Sequence, residues 1–404
     1  SSVTFEKAGF WPDFQDEYGA GDVYAGSSQG VPPNRFSHWD IYNEYSDKEV
    51  SRFWSRTSWG HKYDGLPYYP YSSRDWSQGG LGWGEGVYNA EAYVPKNWYK
   101  SFFETGVTFN NNVAINANNG KGGTFRLSIQ DTRNEWIVPN AGYNSQNFSL
   151  AASQDVNKYI KLSSKVTYNR KNSDNLPISG YNTASPLYAL MWSATTTTPA
   201  DYKAEYERGM IDYVYDNNLS ESLLINYGND NPYQSLYQNL NSMSRDRIYG
   251  NGTIDISIIP KKLTLTLKGA MDLSSDFRTQ QKPFYSRDNR KGFYREQTVN
   301  SLETNVDFLT AYKDRFGDFD LNASFGGNAM KQTYRSTTST AKSLLEKGIY
   351  SLRNVDGMVI NTPIRINKQI NSFYGYASVG WKSMAYLELT GRNDWSSTLP
   401  QWNR

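Results

Sequence analysis

Two groups of residues have types and spacing suited to recognition chemistry. The first lies between Trp54 and Trp98, where Trp59, Trp76, Trp83 and Tyr88 stand among other Trp and Tyr residues and the glycines Gly79, Gly80, Gly82, Gly84 and Gly86. A ring with a polar handle stacks on the C–H face of a sugar while its N–H or O–H meets a hydroxyl, and such surfaces also satisfy peptide backbones. Packing of these rings on one another, or on a partner protein, is the alternative. Asp40, Glu44, Glu49 and Asp75 in the same region are acidic enough for an acid–base pair. Glycoside hydrolysis needs two carboxylates at a defined separation, and nothing in this spacing supplies one. The second group is Arg392 and Asp394, two positions apart. A fork-shaped guanidinium beside a carboxylate makes a structural pair that fixes the chain after it, or a contact to a substrate.

Other chemistry is excluded by composition. The 404 residues contain 0 Cys and 2 His, His38 and His61. That removes disulfides, thiolate zinc, iron–sulfur clusters, cysteine nucleophiles and any His-rich metal site. A Ser-His-Asp triad is disfavoured as well. The reading is of a protein without catalytic residues, metal or cofactor. With 42 Lys+Arg against 40 Asp+Glu the net charge is +2, which gives no reason to expect nucleic acid as a partner.

The elements that would position these groups are strands. Apolar residues recur at period two: Val107, Phe109, Val113 and Ile115; Phe125, Leu127 and Ile129; Phe148, Leu150 and Ala152; Ile160, Leu162, Val166 and Tyr168. The pattern returns at Ile254–Ile258, Leu263–Met271, Val306–Tyr312, Phe319–Phe325, Phe373–Trp381 and Ala385–Leu389. With an opening strand at 3–6, this predicts about eleven strands. Arg126, Lys161, Lys165, Asp255, Lys268, Glu303, Asp307, Asp320 and Glu388 all stand on the polar parity, so one face of the sheet excludes charge. A soluble sandwich and a membrane barrel both satisfy this alternation.

Connection lengths separate them. Tight turns are expected at 118–123, 155–158, 259–262, 313–317 and 381–384, and long outer loops at about 10–100, 170–246, 275–298 and 332–368. Short turns at one end and long loops at the other are the pattern of outer-membrane barrels, not of Greek-key sandwiches. Tyr312, Phe319 and Trp381 flank tight turns, and Phe109, Tyr168 and Phe373 stand at the opposite ends, as two aromatic girdles would. No run of about 18 apolar residues is present, so no membrane-spanning helix is expected. One helix is predicted, capped by Ser185 with Pro186 at its first position, docked through Leu187, Leu190 and Met191 and ended by Thr195–Pro199. The low mean hydropathy of −0.72, with 32 Tyr and 12 Trp against 18 Phe, suits a barrel that presents an apolar residue only at alternate strand positions.

The run Gly391-Arg392-Asn393-Asp394-Trp395-Ser396-Ser397 closely resembles the signature of SusC/RagA-type TonB-dependent transporters. Asp13–Gly19, Ser58-Trp59-Gly60 with Asp64-Gly65, Phe102–Gly106 leading to Asn110-Asn111, and Phe125–Ser128 are similar to other segments of that family. The resemblance implies a transmembrane, antiparallel, up-and-down β-barrel of about 22 strands, of which about eleven are here. It implies a single barrel domain spanning 1–404, placed in the outer membrane of a Gram-negative bacterium and contacting its lipid. It implies a SusD-like surface lipoprotein as lid, and energy delivered by TonB through a plug region not contained in these residues. The expected cargo is an oligosaccharide, with peptide as the alternative, and Gly391, Arg392, Asn393, Asp394 and Trp395 are expected to be structural. The strand number and the missing plug lead to the expectation that this chain is a piece of something larger. A soluble β-rich protein that binds or hydrolyses glycans and a passive porin are the competing readings.

Overall fold

The structure is a computed structural model. It describes residues 1–9, 15–19, 62–65, 91–96, 100–193, 197–216, 229–400 and 402, with short paired segments at 40–43, 48–51, 67–70, 74–75 and 87–89. Eleven strands form one sheet: β1 (Ser2–Glu6), β2 (Gly106–Asn118), β3 (Gly123–Glu135), β4 (Gly142–Asp155), β5 (Ile160–Ser173), β6 (Asn241–Ile259), β7 (Leu263–Ser286), β8 (Asn289–Phe316), β9 (Phe319–Ala341), β10 (Ile360–Trp381) and β11 (Ala385–Ser396). Each pairs antiparallel with its neighbours in chain order, so the sheet is a pure up-and-down meander with β1 and β11 at its edges. Among the described residues no helix is long and apolar enough to cross a membrane.

Register fixes the two faces. Val113, Ile129, Phe148, Tyr168, Ile248, Leu273 and Leu302 lie in one cross-strand row. All of these except Tyr168 are more than a third exposed, as are Phe109, Leu150, Val166, Ile254, Val306, Phe325, Leu387 and Leu389 on the same face. An apolar face this large is not packed against a second layer. The apolar belt also drifts along the strands. In β4 it centres on Phe148 and Leu150, and the row of Phe148 holds the polar Thr333 in β9 and Asn367 in β10. In β10 it runs from Phe373 to Trp381. A belt that stays level while the hydrogen-bond rows climb is the geometry of tilted, staggered barrel strands.

One end of the sheet has only tight connections, at 119–122, 156–159, 260–262, 317–318 and 382–384. The other end differs from the sequence reading. Residues 275–298 are not a loop. β7 and β8 are 24 and 28 residues long and stay paired as far as Ser286 and Asn289. Beyond the apolar belt both faces are polar, so the alternation stops being visible while the backbone goes on pairing. For the same reason the loop expected at 332–368 shrinks to 342–359, and that at 170–246 to 174–240. The connection at 136–141 is short. The expected loop at 10–100 falls mostly outside the described residues.

Among the described residues of 174–240 there are four helices where one was predicted: α1 (Pro186–Met191), α2 (Pro199–Glu207), α3 (Met210–Asp216) and α4 (Pro232–Tyr237). Ser185 caps α1, accepting from Tyr188 N at 3.3 Å. Thr198-Pro199 does not end a helix but opens α2, through a capping box in which Asp201 N donates to Thr198 Oγ1 at 3.3 Å and Thr198 N donates to Asp201 Oδ2 at 2.7 Å. Leu190 is fully buried, but Leu187 and Met191 face outward. Leu190 joins Phe102, Tyr202, Tyr233 and Leu236 in a hydrophobic cluster with Phe103, Val138 and Tyr206 against it. This compact core therefore sits in the cap over the strand ends rather than on the sheet.

Candidate functional site

The polar face of the sheet is a wall of amides, hydroxyls and paired charges, each placed by strand parity. Near β2–β5, Asn134 Nδ2 donates to Thr108 Oγ1 at 2.7 Å and Gln130 Nε2 to Asn110 Oδ1 at 3.1 Å. Arg126 donates to Asn116 at 3.0 Å, and Asn169 to Asn147 Oδ1 at 2.7 Å. The wall continues with Thr266 donating to Asp255 and Asn328 to Asp307, at 2.7 and 2.6 Å. Each group meets a same-face neighbour on the adjacent strand, the pairing that stabilises a sheet.

Charge is concentrated on β6 and β7, where Arg245, Arg247 and Arg278 pair with Asp272 and Asp276. Arg245 grips Asp276 bidentately, at 2.7 and 2.6 Å, and Arg278 approaches the same carboxylate at 2.5 Å. Asp276 is only 2% exposed. Arg247 makes a second bidentate pair with Asp272. Lys171 sits 3.8 Å from the Tyr143 ring centroid, a cation–π contact. The wall thus offers many donors and acceptors with little net charge.

At the long-loop end the connections are interlocked. Asp230 at the end of the 174–240 segment is buried and accepts from Ser286 Oγ at 2.9 Å, Arg287 N at 2.6 Å and Asn239 Nδ2 at 3.3 Å. Burial pushes its carboxyl up, against those three hydrogen bonds. Thr183 bonds Asp288, and Tyr215 stacks on Tyr285 at 5.0 Å. Lys347 of the 342–359 loop reaches Asp212 at 2.9 Å and Asp216 at 3.1 Å on α3. Burial opposes the Lys347 ammonium, yet its hydrogen bonds to the two carboxylates outweigh that and hold its pKa above the ordinary lysine value. Hydrogen bonds from Tyr285 and then Lys347 hold the Asp216 carboxyl below the usual range. Burial pushes Tyr350 and Tyr233 up to about 12. Three connections therefore form one cap over this end of the wall.

The site residues read from the sequence fall in three places. Trp59, Trp76 and Trp83 lie outside the described residues. Tyr88 belongs to the short strand Val87–Tyr88, paired with Arg74–Asp75. Gly391, Asn393 and Trp395 point to the apolar face of β11, and Arg392 and Asp394 to the polar face. Arg392 Nε reaches both Asp394 oxygens at 3.0 Å, its Nη2 donates to Ser372 at 3.2 Å, and its guanidinium lies 5.6 Å from the Tyr374 ring. Trp395 packs edge-on against Phe373 at 5.9 Å. Phe373, expected at a girdle, instead joins Phe308 and Phe325 in an aromatic cluster within the belt. A rim cluster that sequence reading missed is Tyr181, Tyr188 and Trp192, with ring spacings of 4.7 and 6.1 Å. Tyr181 is 88% exposed. Tyr188 and Trp192, four apart on a capped helix, were the available signal. Among the described residues no cluster of His, Cys, Asp or Glu is arranged to hold a metal ion.

Comparison with known proteins gives fold alone. No family model matches the sequence, and no curated protein matches it. Among solved structures, the RagAB peptide transporter superposes with a TM-score of 0.58 at 17% identity, over 77% of this chain and 34% of that chain. The RagAB peptide importer in its closed-closed state gives 0.57 at 17% over 77% and 34%, and in its open-open state 0.58 at 17% over 75% and 33%. The chain spans about a third of the length of these structures. The sheet is therefore part of a β-barrel wall, as the connection lengths and the family resemblance led us to expect.

Proposed function

We propose that this chain forms part of the barrel of a SusC/RagA-type outer-membrane importer that takes up oligosaccharides using energy from TonB. The observation that carries this reading is the eleven-stranded meander with an exposed apolar belt on one face and a hydrogen-bonding wall on the other. Lipid contacts the first face and the second lines a wet lumen. Barrel closure removes both open edges, so strands beyond these eleven complete the wall. No bond-making chemistry is assigned to the chain.

A wall of amides, hydroxyls and paired charges exchanges hydrogen bonds with sugar hydroxyls, and rim rings such as Tyr181, Tyr188 and Trp192 stack on sugar faces. Trp59, Trp76, Trp83 and Tyr88 are proposed to contribute the same chemistry. The Arg392–Asp394 pair holds β11 to Ser372 and acts structurally, with Gly391, Asn393 and Trp395 beside it on the lipid side. A SusD-like lipoprotein is the proposed lid over the loop end.

A second reading, peptide import, is favoured by the fold's likeness to the RagAB peptide transporter. Growth separates the two. A deletion strain should lose growth on oligosaccharides as sole carbon source and keep growth on peptides; the reverse result selects peptide. Growth that persists after TonB is removed overturns energised import and favours a passive porin.

A further inference from the structure

On the apolar face a groove of about 800 Å³ runs across β5–β10. Its floor is lined by the small residues Gly252, Gly269 and Ala329 in one cross-strand row, with Val306 rising between Gly269 and Ala329. A Cβ added at Gly252 or Gly269 would meet nothing within 4 Å, so the floor is open above. Leu267, Phe308 and Phe373 form the walls.

Cations stand directly beyond this groove on the same face. Lys331 is the next position after Ala329 on that face of β9, about 7 Å along the strand. Two such positions further, Arg335 and Arg365 are direct cross-strand partners on β9 and β10. All three are exposed, and among the described residues none is in an ion pair. Like charges placed opposite each other in a sheet repel. Nothing in the fold forces this pair to face the same way as the apolar belt except the parity they share with it. An anion between them turns the repulsion into two charge-assisted hydrogen bonds.

We infer that this groove and its basic rim form a site for a lipid that carries several acyl chains and a phosphorylated headgroup. The chains lie on the glycine floor, and the phosphates meet Lys331 and the Arg335–Arg365 pair. This rests on the outer-membrane reading, since the rim then falls at the headgroup level of the loop-side leaflet. The spacing of about 13 Å along the strand between Lys331 and Arg365's row suits a headgroup with more than one phosphate rather than a single ion.

The test uses the full protein, extracted in detergent and placed in phosphatidylcholine nanodiscs. A bisphosphorylated, multiply acylated diglucosamine lipid is titrated in, with retained lipid read by native mass spectrometry and the unfolding midpoint followed in parallel. The native protein should retain the probe and show a raised midpoint. The R335Q/R365Q double variant and K331Q should each bind about tenfold or more weakly, a loss of about 1.4 kcal/mol per tenfold. Gly269→Leu, which fills the floor, should also weaken binding. The dephosphorylated lipid and inorganic phosphate alone should give no shift. Equal binding by R335Q/R365Q, K331Q and the native protein, or by the dephosphorylated lipid, overturns the proposal. The outer-membrane reading fails by a different result, recovery of the protein in the soluble fraction of cells.

Discussion

Asp230 shows how one side chain can tie two connections together. It serves three donors while nearly fully buried, so Asp230→Ala strands Ser286 Oγ, Arg287 N and the Asn239 amide. Leaving buried donors unmet costs about 1–3 kcal/mol each, and the substitution should expose 174–240 to limited proteolysis while the strands stay protected. The Lys347 clasp has a defined pH window. Asp216 is depressed, so its contribution is present above the unfolded value of 3.8 and is lost as pH falls through the lower folded value. Lys347 is raised, so its contribution is present below 10.5 and is lost as pH rises through the higher folded value. Protection factors in 342–359, taken relative to the intrinsic exchange rate at each pH, should therefore stay high between these limits and fall outside them. Asp230 has the opposite sign to Asp216, since burial raises it and its ionised form is the costly one. Asp230 was not legible in the sequence, because its partners at 286–287 are more than fifty residues away and burial, not type, makes it matter.

Among the elements, β6 and β7 carry the most consequential pair. Asp276 pairs with both Arg245 and Arg278, and it is the buried member. Arg245 and Arg278 are each more than a third exposed and can hydrate once the carboxylate is gone, so Asp276→Ala should cost about 1–3 kcal/mol in a denaturant titration of the reconstituted protein. The strands themselves were legible wherever one face meets an apolar medium. Leu263–Met271 and Phe319–Phe325 announced themselves by alternation. The outer halves of β7 and β8 did not, because Arg278, Thr279 and Gln280 against Gln297, Glu296 and Arg295 are polar on both faces. Their pairing is held by backbone hydrogen bonds, which leave no mark in the order of side chains. α2 and α4 left a local mark that went unread: Thr198-Pro199 and Asn231-Pro232 repeat the capping residue and first-turn proline of Ser185-Pro186.

For the whole molecule, the distinction between a lipid-facing belt and a merely exposed one is measurable. Leu150 is 44% exposed at the centre of the belt in β4. In water, Leu150→Arg would change stability by no more than about 0.5 kcal/mol. In a bilayer the same change should cost about 2–4 kcal/mol near the midplane, read from folding equilibria in lipid vesicles. A near-zero value would return the sheet to the soluble reading. The cap adds a second whole-molecule property. Its three connections share the Asp230, Thr183–Asp288 and Lys347 contacts, so it should move and exchange as one unit rather than as separate loops.

Residue order was enough to set the strand number, the parity of the apolar belt, the tight turns at one end and the helix that begins at Pro186. These follow from local rules, because alternation, capping and turn chemistry act over a few residues. Tertiary structure alone decided how far β7 and β8 extend, that Leu190 rather than Leu187 or Met191 enters the core, and that the core lies in the cap. It also decided that Lys331, Arg335 and Arg365 gather on the apolar face beside a glycine-floored groove. Those outcomes depend on register between strands and on what a buried group finds across the chain, and neither is written in the spacing of neighbouring residues.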